Sequence, residues 1–533
     1  MTPRQPAWAA YRAPLATPLF RSLWIATVVS NIGTSMNDVG SAWLMTSLTP
    51  SALSVALVQA AASLPVFLFS LPAGALADVV DRRRLLIASQ SLILLAAAAL
   101  GLTTTLGLTT PIVLLALTAV MATGAAMSAP AFQAILPGLV DKPALADAVS
   151  LNSLGVNIAR AAGPALGGLI VTLSGPAAVY ALNAVSVVGV IWVLARWRPQ
   201  TAAHALPPEH FWGAVLAGYR YARHAPALQI VLIRACAFFL FSSALWALLP
   251  LVGRHGLGLG AAGYGALLGC LGAGAVAGAV LLPRLRRHLD ANAETVLASL
   301  LIAAAVTALA FAPGPWSAGV VLLFAGVGWI SMLSSLNIAA QMAVPAWVKA
   351  RALAIYLLVF QGCMTAGSVL WGSLAGIAGT SMTLAGAGAS LALATFLVRR
   401  FQLPKGPAID LSPSGHWLDP GPGSEFDRGP VMIQIEYRIT ADRSDAFLSH
   451  LRRFAAVRRR DGAFRWGVFE DVAEPGLIVE TFLVSSWREH LRQHERATQD
   501  DRSAQEALHR FHLGAAPPRV RHLIAPPPDP AAG

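Results

Sequence analysis

Charge is what this chain has least of. Asp, Glu, Lys and Arg make up 12% of its 533 residues, while 56% are hydrophobic. A soluble domain carries ~25% charged residues, so a wholly soluble chain is excluded and a large membrane domain is implied. Carboxylates are scarcest: before position 400 there are only Asp38, Asp78, Asp81, Asp141, Asp147, Glu209, Asp290 and Glu294. Cysteine is nearly absent. Cys236, Cys270 and Cys363 all fall inside apolar runs, without CxxC or Cys/His spacing, so they read as free thiols and no metal is expected. No phosphate-binding loop occurs. Gly272-Ala-Gly274-Ala-Val-Ala-Gly278 lacks the spacing and the preceding strand, which argues for helix packing and against a nucleotide-driven pump. With no Ser/His/Asp arrangement and no cofactor fingerprint, no enzyme and no cofactor are expected. Met1 to Arg21 lacks the short apolar core of a removable signal peptide.

What fills the chain is apolar runs. Twelve of them fall at about 22–47, 51–74, 84–106, 110–132, 148–173, 176–196, 227–252, 261–283, 293–312, 316–341, 350–375 and 379–399. Each approaches the ~20 helical residues that cross a bilayer core. Arg clusters follow the even-numbered runs, at Arg82 to Arg84, Arg196 with Arg198, Arg284 with Arg286 and Arg287, and Arg399 with Arg400. Connectors after odd-numbered runs carry almost none, Arg254 being the exception. Short cytoplasmic loops are enriched in Lys and Arg, so both termini are expected on the cytoplasmic side of a bacterial inner membrane. The net charge of +12 is then orientation rather than nucleic-acid binding.

The loop between the second and third runs is Gly74-Ala-Leu-Ala-Asp78-Val-Val-Asp81-Arg82-Arg83-Arg84. Gly74 permits close helix approach, Asp78 can cap a helix, and Arg82 and Arg83 can reach helix C-terminal carbonyls. Its spacing resembles the G-x-L-a-D-x-x-G-R-[KR] signature of the major facilitator superfamily. Asp81 in the place of the usual Gly resembles the enterobactin-exporter and secretion-effector subfamily. The resemblance covers about residues 18–400. It implies a cytoplasmic gate made by Gly74, Asp78, Asp81, Arg82 and Arg83. Gly163-Pro164-Ala-Leu-Gly167-Gly168 similarly resembles the fifth-helix exporter motif. A second Arg cluster after Gly278, and Pro345 to Gly372 answering Pro137 to Gly168, make the chain a weak internal repeat. Such repeats put the substrate site between two halves.

The expected fold is therefore an all-α membrane protein of twelve transmembrane helices in two six-helix pseudo-symmetric halves, with a small C-terminal α+β ferredoxin-like cytoplasmic domain. The expected boundaries are an N-terminal segment (1–21), a first half (22–198) and a linker with an amphipathic helix (199–226). A second half (227–400), a flexible linker (401–429), the small domain (430–525) and a disordered tail (526–533) follow. In the linker, Phe211, Val215 and Tyr219 should share the apolar face. Within the spans, Asp38 is the one acid well inside, and Arg160 its one strong basic candidate. Ionisable residues inside membrane helices mark function by default. Counted from the cytoplasmic ends at ~1.5 Å per residue, the depths of the two differ by only ~6 Å, so they can pair. Proton coupling through Asp38 with Arg160 as counter-ion is expected. A static buried ion pair, or an Asp38 that faces the outer aqueous mouth, is the alternative. Asn31, Gln59, Gln133, Asn157, Asn337, Gln341 and Gln361 are the polar residues expected to face a substrate cavity.

After position 430 the pattern changes to β-α-β-β-α-β, with strands at Val431–Ile439, Phe464–Glu470, Leu477–Val484 and Val520–Leu523. Helices are expected at Asp442–Arg460 and, as one charged helix with a solvated face bearing His490 and His494, at Ser486–Phe511. This order resembles the ferredoxin-like domains of antibiotic-biosynthesis-monooxygenase type. The sequence supports a proton-coupled exporter of a small amphipathic molecule, siderophore or drug-like, in contact with lipid and able to self-associate through its tail domain. The alternatives are a membrane-tethered oxygenase-like enzyme and a non-transporting sensor.

Overall fold

The computed structural model describes residues 12–197, 211–345, 347–403, 410–412, 414, 428–514 and 516–526. The chain folds into two compact units. The first is built from Met1–Pro208, Leu232–Ile338 and Tyr356–Gln402, the second from Glu209–Val231, Ala339–Ile355 and Leu403–Gly533.

The first half contributes α1 (Pro18–Leu48), α2 (Ala52–Val79), α3 (Arg82–Thr105), α4 (Pro111–Ile135), α5 (Leu145–Ser174) and α6 (Pro176–Arg196). After the linker helix α7 (Phe211–His224) come α8 (Pro226–Leu251), α9 (Ala261–Leu285), α10 (Ala291–Leu309), α11 (Pro315–Met342), α12 (Lys349–Ala378) and α13 (Thr380–Val398). Eleven of these are long and apolar enough to cross a membrane among the described residues. The expected twelfth, α1, has 31 residues, but Ser30, Asn31, Thr34, Ser35, Asn37, Asp38 and Ser41 dilute its apolarity. Large apolar side chains such as Leu95, Ile112, Leu173, Val185 and Ile377 stand exposed on the helices. In water these would be aggregation sites; in a bilayer they are the lipid face.

Local chemistry sets the helix ends. Ser51 and Thr110 cap α2 and α4, accepting from the amides of Ser54 and Val113. Proline opens α1, α4 and α6, where its missing N–H costs nothing. The repeat is visible in the turns. α5 passes to α6 through Gly175 (φ 79°) and α12 to α13 through Gly379 (φ 81°), each a left-handed position that glycine enters without strain. α1 lies along α5 and α6, α2 along α4, and α10 along α13.

In the second unit, β1 (Val431–Arg438), β2 (Phe464–Glu470), β3 (Leu477–Val484) and β4 (Arg519–Ile524) form one sheet in the order β2-β3-β1-β4. All neighbours are antiparallel, the split β-α-β arrangement of a ferredoxin-like fold. One face of β1 (Val431, Ile433, Ile435, Tyr437) packs with Ile478, Phe482 and Val484 of β3. Phe447, Leu451 and Phe454 of α14 (Ser444–Arg460) cover them. The single charged helix expected at Ser486–Phe511 is two, α15 (Trp487–Arg496) and α16 (Gln499–His509). The break is chemical. The Thr498 hydroxyl accepts the Asp501 amide, and the Asp501 carboxylate accepts the Thr498 amide, a capping box that starts a new helix. The expected solvated histidine face is also corrected. His490 is 4% exposed and packs on Trp487 and His522, because α15 lies against the sheet. Among the described residues no group of three His, Cys, Asp or Glu is placed to hold a metal.

The same unit holds α7 and the α11–α12 connector. Buried Tyr221 of α7 donates to the Ala343 carbonyl at 3.2 Å and meets Trp347 edge-on at 5.8 Å. The Arg460 guanidinium of α14 lies 5.6 Å from the Tyr221 ring, and Arg496 of α15 lies 4.7 Å from the Trp347 ring. Both cations are held from behind. Arg460 bonds Asp461 and Asp501, and Arg496 bonds Glu489. Tyr219, expected on the apolar face of α7, is 52% exposed; the helix turns Tyr221 inward instead. Phe211 and Val215 have side chains outside the described residues.

Candidate transport site

The exporter-like motif of α5 wedges that helix between α1 and α9. A Cβ on Gly163 would lie 2.5 Å from Cβ of Ser35, and one on Gly167 would lie 2.9 Å from Cα of Met36. On the other side, a Cβ on Gly168 would meet the Ala261 carbonyl at 2.6 Å and Gly265 Cα at 2.8 Å. Pro164 supplies no amide to the carbonyl of Arg160, four residues earlier. Gly272 of α9 packs over that carbonyl, its hypothetical Cβ only 3.2 Å from the oxygen. Small residues thus bring two helices from different halves into backbone contact. Gly274 does the same between α9 and α11, where a Cβ would meet the Leu323 carbonyl.

The halves also meet at the end opposite the Arg-rich loop. Thr172 accepts the Ala262 amide at 2.9 Å, Trp43 stacks on Tyr264 at 5.8 Å, and Gly372 abuts Leu53 and Ala56. Nearer the middle, Ser63 bonds Thr365 at 2.8 Å. Toward the Arg-rich end lies a cavity of about 390 Å³, lined by Phe20, Trp24, Asn31, Gln90, Gln133 and Asn152 among others. Trp24 is fixed there by its indole N–H, which donates to the Leu151 carbonyl at 2.9 Å.

Of the expected cavity residues, Asn31 and Gln133 line this space. Asn157 is exposed on α5 with its amide donating to the Ser153 carbonyl. Gln59 and Gln361 are partly buried, Asn337 is exposed, and Gln341 belongs to the second unit. Thr27, Ser30, Gln90, Ser128 and Ser153 also line the cavity. Period-3.6 reasoning from Asn31 would have reached Thr27, but Gln90 sits on a helix read as wholly apolar.

Asp38 and Arg160 are both exposed, and neither lines the cavity above. They do not pair: neither has a salt bridge or a side-chain hydrogen bond among the described residues. Equal depth along two helices does not make two side chains face each other, since the rotation of each helix about its axis decides that.

At the Arg-rich loop, Arg82 donates to the Ala134 carbonyl at the end of α4 at 3.1 Å. Arg83 donates to the Leu194 carbonyl near the end of α6 at 2.8 Å, and also to Ala195. Each cation therefore sits where a helix C-terminus concentrates partial negative charge. The cap of α3 is Asp81, whose carboxylate accepts the Arg84 amide at 2.8 Å. The side chain of Asp78 lies outside the described residues. Gly74 has open space around its Cα. In the second half the corresponding connector carries Asp290, which caps α10 by accepting the Ala293 amide at 2.8 Å, and the partner of its Arg cluster is an acid of that helix. Arg286 pairs with Glu294 of α10 at 2.9 Å, and Glu294, 2% exposed, also accepts from Ser335.

Two six-helix halves in backbone contact, with a cavity inside the first lined by Trp24, Asn31, Gln90 and Gln133 and with Arg-bearing loops at one end, have the architecture of a major facilitator membrane transporter. Solved transporters share the fold. A bacterial homologue of the human lysosomal transporter Spinster, inward-facing, superposes with TM-score 0.59 at 14% identity, covering 73% of this chain and 98% of that one. A bacterial homologue of the iron transporter ferroportin, also inward-facing, gives TM-score 0.57 at 15% identity over 72% and 98%. The chain belongs to the transmembrane secretion effector family, whose model matches residues 9–528. It is similar to the enterobactin exporter EntS of Escherichia coli O1:K1, 26% identical over 60% of this chain and 76% of that protein. It is 32% identical to the staphyloferrin A transporter of Staphylococcus aureus, over 27% of this chain and only 36% of that protein.

Proposed function

We propose that this transporter exports a small amphipathic, anion-bearing molecule of the siderophore or drug-like class, by alternating access and in exchange for protons. The observation that carries this reading is the solitary Arg160, a guanidinium deep in the first half with no carboxylate partner among the described residues. An exposed guanidinium inside a transmembrane helix, with no carboxylate beside it, is a group that an anionic cargo can pair with by charge-assisted hydrogen bonds. Two similar proteins are named for siderophores. Asp38, equally solitary, is the proton carrier: its protonation state biases which end of the cavity opens. Gly74, Asp78, Asp81, Arg82 and Arg83 act as the gate at the cytoplasmic end, with both termini on that side of the inner membrane.

The test is gradient-driven efflux of citrate-type and catecholate siderophores, with a neutral dye as comparison, from proteoliposomes. Native protein should move an anionic compound only with a proton gradient. Asp38→Asn should abolish the gradient dependence, and Arg160→Gln should weaken binding of the anionic cargo more than of the neutral dye. Equal transport by native and Asp38→Asn protein removes Asp38 from coupling. Loss of both cargoes alike in Arg160→Gln removes the charge argument.

A further inference from the structure

Arg254 breaks the charge pattern: it is the one Arg or Lys in the connectors at the end opposite the Arg-rich loop. It sits in the π-helical turn Val252–Gly256 that closes α8. Its guanidinium reaches across to the first half. It donates to the Thr46 hydroxyl at 3.0 Å and to the Ser47 hydroxyl, and lies 5.4 Å from the centre of the Trp43 ring. Thr46 in turn donates to the Trp43 carbonyl at 2.7 Å, so ring, hydroxyl and guanidinium are tied together. Beneath them Trp43 stacks on Tyr264 of the second half, which is 4% exposed. No carboxylate bonds Arg254 among the described residues.

We propose that Arg254, with Thr46, Ser47 and Trp43, is the latch that holds the two halves together at this end. The chemistry suits a latch that must open in every cycle. A carboxylate partner would add a charge–charge attraction that every opening must break. Neutral hydroxyls and an aromatic face hold the cation by short-range contacts that water replaces as the halves part. The planar fork matters, because it spans two hydroxyls and faces a ring at once, which a lysine ammonium cannot do. Keeping a cation on the side where cations are disfavoured is then explained by its work there. This inference rests on the alternating-access reading.

The experiment is double electron–electron resonance on the full chain in nanodiscs, with native cysteines replaced. One label pair, Leu108→Cys with Phe311→Cys, reports the latch end. Another, Asp141→Cys with His288→Cys, reports the opposite end. Arg254→Ala should populate a longer distance at the latch end and a shorter one at the other, shifting the ratio of the two states about ten-fold. Thr46→Val with Ser47→Ala should give a comparable shift, and should add little when combined with Arg254→Ala. Arg254→Lys should fall between. Gly168→Ala, which crowds the same end without touching Arg254, is the control. If Gly168→Ala moves both distances while Arg254→Ala moves neither, the latch is wrong and alternating access stands. If no variant and no proton gradient moves either distance, both readings fall.

Discussion

A methyl group on Gly168 tests whether backbone contact between α5 and α9 keeps the far end closed. It would lie 2.6 Å from the Ala261 carbonyl oxygen and 2.8 Å from Gly265 Cα. Carbon contacts settle at ~3.5–4.0 Å, so the two helices must part by about 1 Å at that level. Backbone cannot swing aside as a side chain can. Overpacking of this kind costs ~1–3 kcal/mol, and the cost falls only on the state in which the halves touch. The ratio of that state to an opened one should therefore fall about 5–150-fold. The matched comparison is Gly269→Ala on the facing helix α9, one turn beyond Gly265, whose methyl would find its nearest neighbour, Ala165 Cβ, at 3.6 Å. That is ordinary contact, and the helix gains up to ~1 kcal/mol in propensity from Gly to Ala. Thermal unfolding in nanodiscs together with label distances at the latch end would separate them. Gly168→Ala should lower Tm and open that end; Gly269→Ala should do neither. Equal behaviour of the two variants would refute the claim that this close approach determines the closed state.

Other expectations follow from the loop and the second unit. Asp81→Ala removes the cap of α3 and should destabilise the first unit by ~1 kcal/mol, read as a lower Tm, whereas Asp81→Asn should retain most of the stability. Tyr221→Ala should loosen the second unit by ~3–5 kcal/mol, as for loss of a buried aromatic, with faster hydrogen exchange in α7 and around Trp347. Tyr221→Phe, losing only the bond to Ala343, should cost ~1 kcal/mol. Burial and the neighbouring His494 and His522 depress the His490 pKa to about 3, below the ~6.5 of an unfolded chain. The unfolded state then binds the extra proton, so stability is full above about pH 6.5 and is lost as pH falls toward 3. By linkage this amounts to ~2 kcal/mol at pH 5. His490→Asn should flatten that dependence in hydrogen exchange of β4; an unchanged slope would contradict the burial argument.

The fold was legible because its signals are long or repeated. Apolar runs and alternating Arg-bearing connectors survive an error of several residues. The tail sheet was legible from period-two alternation in Val431–Arg438 and Leu477–Val484. What was not legible depended on rotation about a helix axis or on a partner far along the chain. Asp38 and Arg160 could be placed in depth but not in azimuth, and they do not meet. Glu294 as partner of Arg286 lies eight residues on, inside the next helix, and only the turn between them brings the two together. The cap of α3 follows from position alone, since Asp81 immediately precedes its first helical residue. The break at Thr498 was written in its capping box, but an unbroken run of charged residues suggested one helix. His490 has a sequence signature identical to that of a solvated histidine; only the packing of α15 on the sheet buries it.

The make-up of the second unit has a consequence for how the protein is made. Tyr221 and Trp347 emerge from the ribosome well before the arginines that cover them. Arg460 follows Tyr221 by about 240 residues, and at ~5–20 residues per second that is a wait of ~12–48 seconds. During that interval α7 and the α11–α12 connector carry uncovered aromatic surface beside a nascent membrane bundle. A chain truncated before α14 would carry it permanently. The two ring contacts thus close in order of synthesis, Arg460 on Tyr221 first and Arg496 on Trp347 after it.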